Sequence, residues 1–260
     1  MSLIVLAAAA GSPGVTTTVA ALARSWPRDL LIVDADPTGG CGLPITFLHG
    51  LTSLPDTMTD LVYAARDQRL GEAVSRAVQP LPDCSARLLP GPRSHAQAVA
   101  LAELWEPLAS ELTMLGAGER DVIVDLGRLG LAGSATPVLR AADFTGLLTR
   151  CDLTSLAATR QWSDQLRDAA AIAGGAPRCA LIAVGPAHPY QPREISDALG
   201  LPVLGKLRHD ARAGALAGRI GSRISSGWTR DVAALGEAIR RQMAENEAIL
   251  RPATLAGAPR

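Results

Sequence analysis

Short apolar runs rich in β-formers alternate along the chain with stretches whose apolar residues recur every three or four positions. The runs at Leu3-Ile4-Val5-Leu6, Leu30 to Pro37, Asp121 to Gly127, Phe144 to Thr149, Cys179 to Val184 and Pro202 to Leu207 predict six buried strands. Ala86 to Pro92 predicts a shorter one, stopped by Pro90 and Gly91. Helical spacing covers residues 55–80, with Leu61, Val62, Ala65 and Leu70 on one face, and Ala96 to Leu115, with Leu101, Leu104, Leu108 and Leu112. Further helices are predicted from Leu153 to Ala173, from Arg193 to Leu199 and from Thr229 to Leu250. The last carries the stripe Val232, Leu235, Ile239 and Met243, read as core-facing because its other face mixes Glu237 and Glu245 with Arg240 and Arg241. Strands alternating with helices predict an α/β fold: a mostly parallel twisted sheet, helices on both faces, and sites at the carboxyl ends of the strands. Residues 1–250 read as a single domain, and residues 251–260, with two prolines, as a frayed tail.

Composition narrows the class. A chain of 260 residues, 48% of them hydrophobic, is long enough to bury a large core. Formal net charge is zero, which disfavours bulk attraction to nucleic acid or to an anionic membrane. Arg208, Arg212, Arg219, Arg223 and Arg230 recur along one stretch, but at that charge balance they read as a solvated face in preference to a stripe for nonspecific DNA. Cys41, Cys84, Cys151 and Cys179 form no C-x-x-C pair, and His49, His95, His188 and His209 have no metal-ligand spacing. No leader is evident and no apolar run approaches the roughly 20 residues of a membrane helix. The expectation is a cytoplasmic protein without an integral membrane segment.

The chemistry concentrates at the ends of three strands. The first leads through Ala7 to Ala10 into Gly11-Ser12-Pro13-Gly14-Val15-Thr16-Thr17-Thr18 and then the helix-like Val19 to Ala23. Strand, glycine-bearing loop and helix make a phosphate cradle, in which successive backbone N–H groups and a helix N-terminus meet one anion. The usual pattern G-x-x-x-x-G-K-[ST] adds a lysine for the β- and γ-phosphates. Here Ala9 replaces the first glycine and Val15 the lysine, while Thr16 retains the hydroxyl that can ligate Mg²⁺. Asp34 and Asp36 end the second strand and Asp125 the third, so parallel strands bring three carboxylates to the edge that holds the loop.

The segments 10–17 (AGSPGVTT), 33–40 (VDADPTGG) and 122–127 (VIVDLG) resemble the deviant P-loop, switch I and Walker B segments of the MinD/ParA ATPases. Tyr190 to Ile195, followed by Leu201 to Gly205, resembles the later segment leading to that family's base-binding loop. The resemblance implies ATP and Mg²⁺ as ligands. Gly11, Ser12, Pro13, Gly14, Val15, Thr16 and Thr17 would line the phosphates. Thr16, Asp34 and Asp125 would stand at or beside the metal, Asp36 would orient the attacking water, and His209 and Asp210 would lie near the adenine.

The departures bear on activity. The family's two loop lysines fall at Ala10 and Val15, and Gly185 stands about where an asparagine often follows the base-proximal strand. Loss of one charged hydrogen bond to phosphate removes roughly 1.5–3 kcal/mol of binding. Loss of a transition-state donor removes ~10²–10³ in rate. Weak binding with slow or absent hydrolysis is therefore expected. The resemblance implies a nucleotide-linked homodimer that organises a cellular assembly, in partitioning, positioning, or a pilus or secretion system, through an unidentified protein partner. The alternative is a non-enzymatic scaffold, or pseudo-ATPase, that positions pilus or secretion machinery without nucleotide.

Overall fold

A computed structural model of the chain describes residues 2–40, 42–48, 57–82, 84–118, 120–172, 178–186, 189–210 and 225–250. The strands are β1 (Leu3–Ala8), β2 (Leu30–Asp34), β3 (Gln79–Pro80), β4 (Arg87–Leu89), β5 (Asp121–Arg128), β6 (Phe144–Arg150), β7 (Cys179–Val184) and β8 (Val203–Leu207). The helices are α1 (Val15–Ser25), α2 (Gly42–Leu48), α3 (Thr57–Arg66), α4 (Leu70–Ala77), α5 (His95–Ala100), α6 (Trp105–Ala117), α7 (Thr136–Ala141), α8 (Leu153–Ile172), α9 (Pro192–Leu199) and α10 (Ser226–Leu250). One sheet runs in the order β3-β4-β2-β5-β1-β6-β7-β8. All its pairings are parallel except β3 with β4. The expected α/β architecture, a mostly parallel sheet under two layers of helices, is the observed one.

The central strands are apolar on both faces, as burial between helix layers demands. Successive residues of β1 supply opposite cores. Leu3, Val5 and Ala7 pack with residues of α3, α4, α6, α7 and α9. Ile4, Leu6 and Ala8 pack with α1, α2 and α10. The stripe Val232, Leu235, Ile239 and Met243 lies buried in that second core, so α10 covers the sheet with it. No helix among the described residues is long and apolar enough to cross a membrane.

Several expected elements differ. The helix over 55–80 is broken into α3 and α4 at Gln68, whose φ of 57° is left-handed and incompatible with a continuing helix. Its last residues form the edge strand β3. The helix over 96–115 is broken by a short 3₁₀ turn at Ala102–Leu104. Pro107, in the first turn of α6, has no N–H for the carbonyl four residues back and would clash with it, so the helix restarts at Trp105. The loop expected over residues 38–42 gives way to α2 from Gly42, and α7 is an addition. The tail over 251–260, Cys41, His49, His188, Arg212, Arg219 and Arg223 lie outside the described residues.

Candidate functional site

The order β2-β5-β1-β6 sets the loop after β1 between the ends of β5 and β6, with β2 one strand further out. Register does the fine placement. Asp34 pairs directly with Asp125, and Asp125 also pairs with Leu6, two residues before the end of β1. The two carboxylates therefore leave adjacent strands side by side, against the start of α1.

The loop turns through left-handed conformations at Gly11, Ser12 and Gly14, with φ of 74°, 43° and 95°. Gly14 caps α1 without a side-chain partner; its carbonyl accepts from the Thr18 backbone N–H at 2.9 Å and from the Thr18 hydroxyl at 2.8 Å. This leaves the amides of the first turn, those of Val15 to Thr17 included, for an external acceptor. The Val15 side chain does not face that acceptor. It is buried in the core with Ile4 and Leu6.

Asp125 is wholly buried. One carboxylate oxygen accepts the Gly127 backbone N–H at 3.0 Å; the other, Oδ2, is buried without a hydrogen-bond partner among the described residues. Desolvation pushes its pKa up to about 7; the facing Thr16 hydroxyl and the Gly127 N–H oppose the rise, and the Asp36 charge adds to it. Asp34 is raised well above the ordinary carboxylate range, by burial first and then by Asp125; the Asp36 backbone N–H, donating to its Oδ1 at 3.3 Å, partly offsets this. Asp36 is half-buried, and its Oδ1 accepts both the N–H and the hydroxyl of Thr38, at 2.9 and 2.8 Å. Its carboxyl group rests on Gly127, where φ is 62° and an added Cβ would lie 2.4 Å from the Asp36 carboxyl carbon. Only glycine fits there.

The loop of Asp36 is also braced from outside. His95 Nδ1 donates to the Pro37 carbonyl at 2.9 Å, which fixes the proton on that nitrogen.

On the other side of the loop lies a cleft of about 520 Å³. Ser12, Pro13, Gly14, Thr17 and Thr18 line it from the loop and α1, Gly185 and Pro186 from the end of β7, His209 and Asp210 from beyond β8, and Trp228 from α10. Asp210 accepts the Ser225 N–H at 3.1 Å, which ties the segment after β8 to the start of α10. The residues singled out from sequence thus divide into two groups: Thr16 with Asp34, Asp36 and Asp125, and Ser12, Pro13, Gly14 and Thr17 with His209 and Asp210 around the cleft; Gly11 does not line the cleft, and the Val15 side chain lies in the core. Sequence reading missed Arg150 and Trp228 of the cleft and His95 as a brace, and took Arg208, which lines the cleft, as part of a solvated face. Strand-end position alone was available to flag Arg150.

These residues fit a Mg²⁺–nucleotide by one specific test. Buried polar atoms are nearly always hydrogen-bonded, and Asp125 Oδ2, on a carboxyl group that the Thr16 hydroxyl approaches, has no partner of hydrogen-bonding geometry among the described residues. Among the described residues no three His, Cys, Asp or Glu side chains close into a metal cage. A divalent cation would need the Thr16 hydroxyl and the ligand's own oxygens, as Mg²⁺ sites on nucleotides commonly do.

No family model matches the chain, and no curated protein matches it by sequence. Solved structures match its fold throughout. The septum site-determining protein MinD of Pyrococcus horikoshii, complexed with Mg-ADP, is 18% identical over 95% of this chain and 99% of its own, with a TM-score of 0.71. A chain of the MinC:MinD cell division protein complex of Aquifex aeolicus is 14% identical, covering 100% of this chain and 99% of its own, with a TM-score of 0.71. A ParA family ATPase of Chlorobium tepidum is 18% identical, covering 91% and 98%, with a TM-score of 0.69. The chain has the MinD/ParA P-loop fold.

Proposed function

We propose that the chain is a nucleotide-binding protein of MinD/ParA type that binds Mg–ATP weakly, turns it over slowly or not at all, and uses the bound state to organise a protein assembly. The observation that carries this reading is the partnerless, buried Asp125 Oδ2, held beside Thr16 and register-paired with Asp34. A scaffold with no ligand gains nothing from burying two neighbouring carboxylates.

The chain's own residues divide the work. Backbone N–H groups of Gly11, Ser12 and residues 14–17 bind phosphate oxygens, Pro13 having none to give, and the α1 N-terminus adds its partial positive charge. Thr16 holds the metal ion, with Asp125 and Asp34 close by. Asp36, fixed by Thr38 and seated on Gly127, orients a water against the outermost phosphate. His209 and Asp210 border the base. Bound Mg²⁺ supplies charge neutralisation to the phosphates.

MinD appears in a solved complex with MinC, and the reading carries a protein partner over to this chain; a nucleotide-linked homodimer is what the sequence resemblance implies. Isothermal titration of the full chain with Mg-ATP and Mg-ADP tests it. Dissociation constants from micromolar to millimolar are expected, with a matching rise in melting temperature. Absence of heat and of any thermal shift at millimolar nucleotide overturns it.

The second reading, a scaffold without nucleotide, is favoured by one feature: Val15 is packed into the core where a lysine would reach the phosphates. The same titration separates the two.

A further inference from the structure

We propose that Arg150 supplies the positive charge that the loop sequence lacks, binding the phosphates of the nucleotide from the neighbouring strand. The inference rests on the nucleotide reading above and adds a residue to it.

Strand order puts the residue there. β6 flanks β1 on the side away from β5, in register Leu6 with Gly146 and Ala8 with Leu148, so Thr149 and Arg150 run beside the first residues of the loop. Alternation along β6 sets its direction. Phe144 and Leu148 pack in the core beneath α1, whereas the Thr149 hydroxyl turns the other way to meet Thr159 of α8 at 3.0 Å. Arg150 therefore emerges on the face that α1 covers. Its Nη1 donates to the Gly11 carbonyl at 3.3 Å, and it lines the cleft together with Ser12, Gly14 and Thr17.

Its charge is the available one. The cleft's other arginine, Arg208, is held in a two-pronged ion pair by Asp231, at 2.6 and 3.0 Å. Lys206, the single lysine of the chain, precedes Leu207, whose side chain lies in the core beneath α1, so Lys206 projects from the opposite face. The neighbouring acid, Asp152, is engaged in capping α8 through the Ser155 N–H and hydroxyl at 2.9 and 3.1 Å. Among the described residues Arg150 makes no ion pair, only a long bond to a neutral carbonyl. Such a bond gives way to an anionic oxygen, because charge-assisted hydrogen bonds to phosphate are shorter and about twice as strong.

A purely structural part for Arg150, propping Gly11, is separable by ligand. Titrate the full chain and its R150Q and R150A variants with Mg-ATP, Mg-ADP and adenosine. R150Q keeps the stem and a donor while dropping the charge. Both variants are expected to weaken Mg-ATP binding roughly 10- to 100-fold, Mg-ADP binding less, and adenosine binding not at all. Wild-type affinity for Mg-ATP in R150Q overturns the proposal, and so does an equal loss for adenosine and Mg-ATP. If the unaltered protein binds no nucleotide, the underlying reading falls as well, which distinguishes that failure from the failure of Arg150 alone.

Discussion

At the scale of single residues, two buried aspartates show how the same side chain serves opposite ends of the sheet. Asp121, at the amino end of β5, accepts the Trp26 indole N–H at 2.9 Å and pairs with Arg28 at 2.9 Å. Asp121→Ala strands that N–H and should lower the unfolding free energy by about 2–4 kcal/mol in urea titrations. Asp125, four residues on, has no cationic partner among the described residues, and its stability signature is reversed. An unfolded aspartate titrates near 3.9, whereas folded Asp125 titrates at about 7. Between those values the folded ligand-free chain holds a proton that the unfolded chain has released. Stability therefore falls as pH rises from about 4 to about 7 and levels off above. Asp34 is shifted in the same direction. Urea melts at pH 5 and pH 8 check this, and Asp125→Asn should flatten the difference. Asp34 and Asp125 were legible from sequence because each stands at the carboxyl end of an apolar run. Arg150 was not, since an arginine after a strand is ordinary until strand order sets it beside Gly11.

At the scale of elements, apolar runs between helix layers declare themselves, and the six main strands and the last helix were legible for that reason. What was hidden depended on single backbone positions. Gln68 in a left-handed conformation and Pro107 in a first turn divide stretches whose periodicity reads as continuous. β3 is a two-residue strand whose pairing with β4 no local pattern announces. α10 shows the converse, a stripe that decides placement by itself. Ile239 is fully buried in the core that α10 shares with α1, and Ile239→Ala should remove about 2–5 kcal/mol of stability by calorimetry or urea melts. Between β5 and the Asp36 loop the fit is tighter still. Gly127→Ala drives a Cβ into the Asp36 carboxyl group and forces a left-handed alanine. It should abolish the Mg-nucleotide thermal shift.

For the whole molecule, a ligand that touches the loop after β1 and the ends of β2 and β5 joins three strands of one sheet. Mg-ADP at a hundredfold excess over its dissociation constant should add about 2.7 kcal/mol of stability, read as a rise in melting temperature. Light scattering with and without Mg-ATP tests the proposed nucleotide-linked dimer; with Ala10 where the resemblance sets a cross-dimer lysine, the association should be weak. Helix α5 has a further consequence. A Cβ added at Gly39 would lie 2.4 Å from the Ser94 backbone, and one at Gly133 would lie 2.6 Å from the Ala98 carbonyl carbon. His95 meanwhile holds Pro37. The helix is thus wedged between the segment downstream of Asp36 and the segment downstream of Asp125, like a lever resting on two fulcrums. Its outer side carries Val99, an apolar residue 43% exposed to solvent. A fluorophore attached there would turn any change felt by either acid into a signal on the protein's skin.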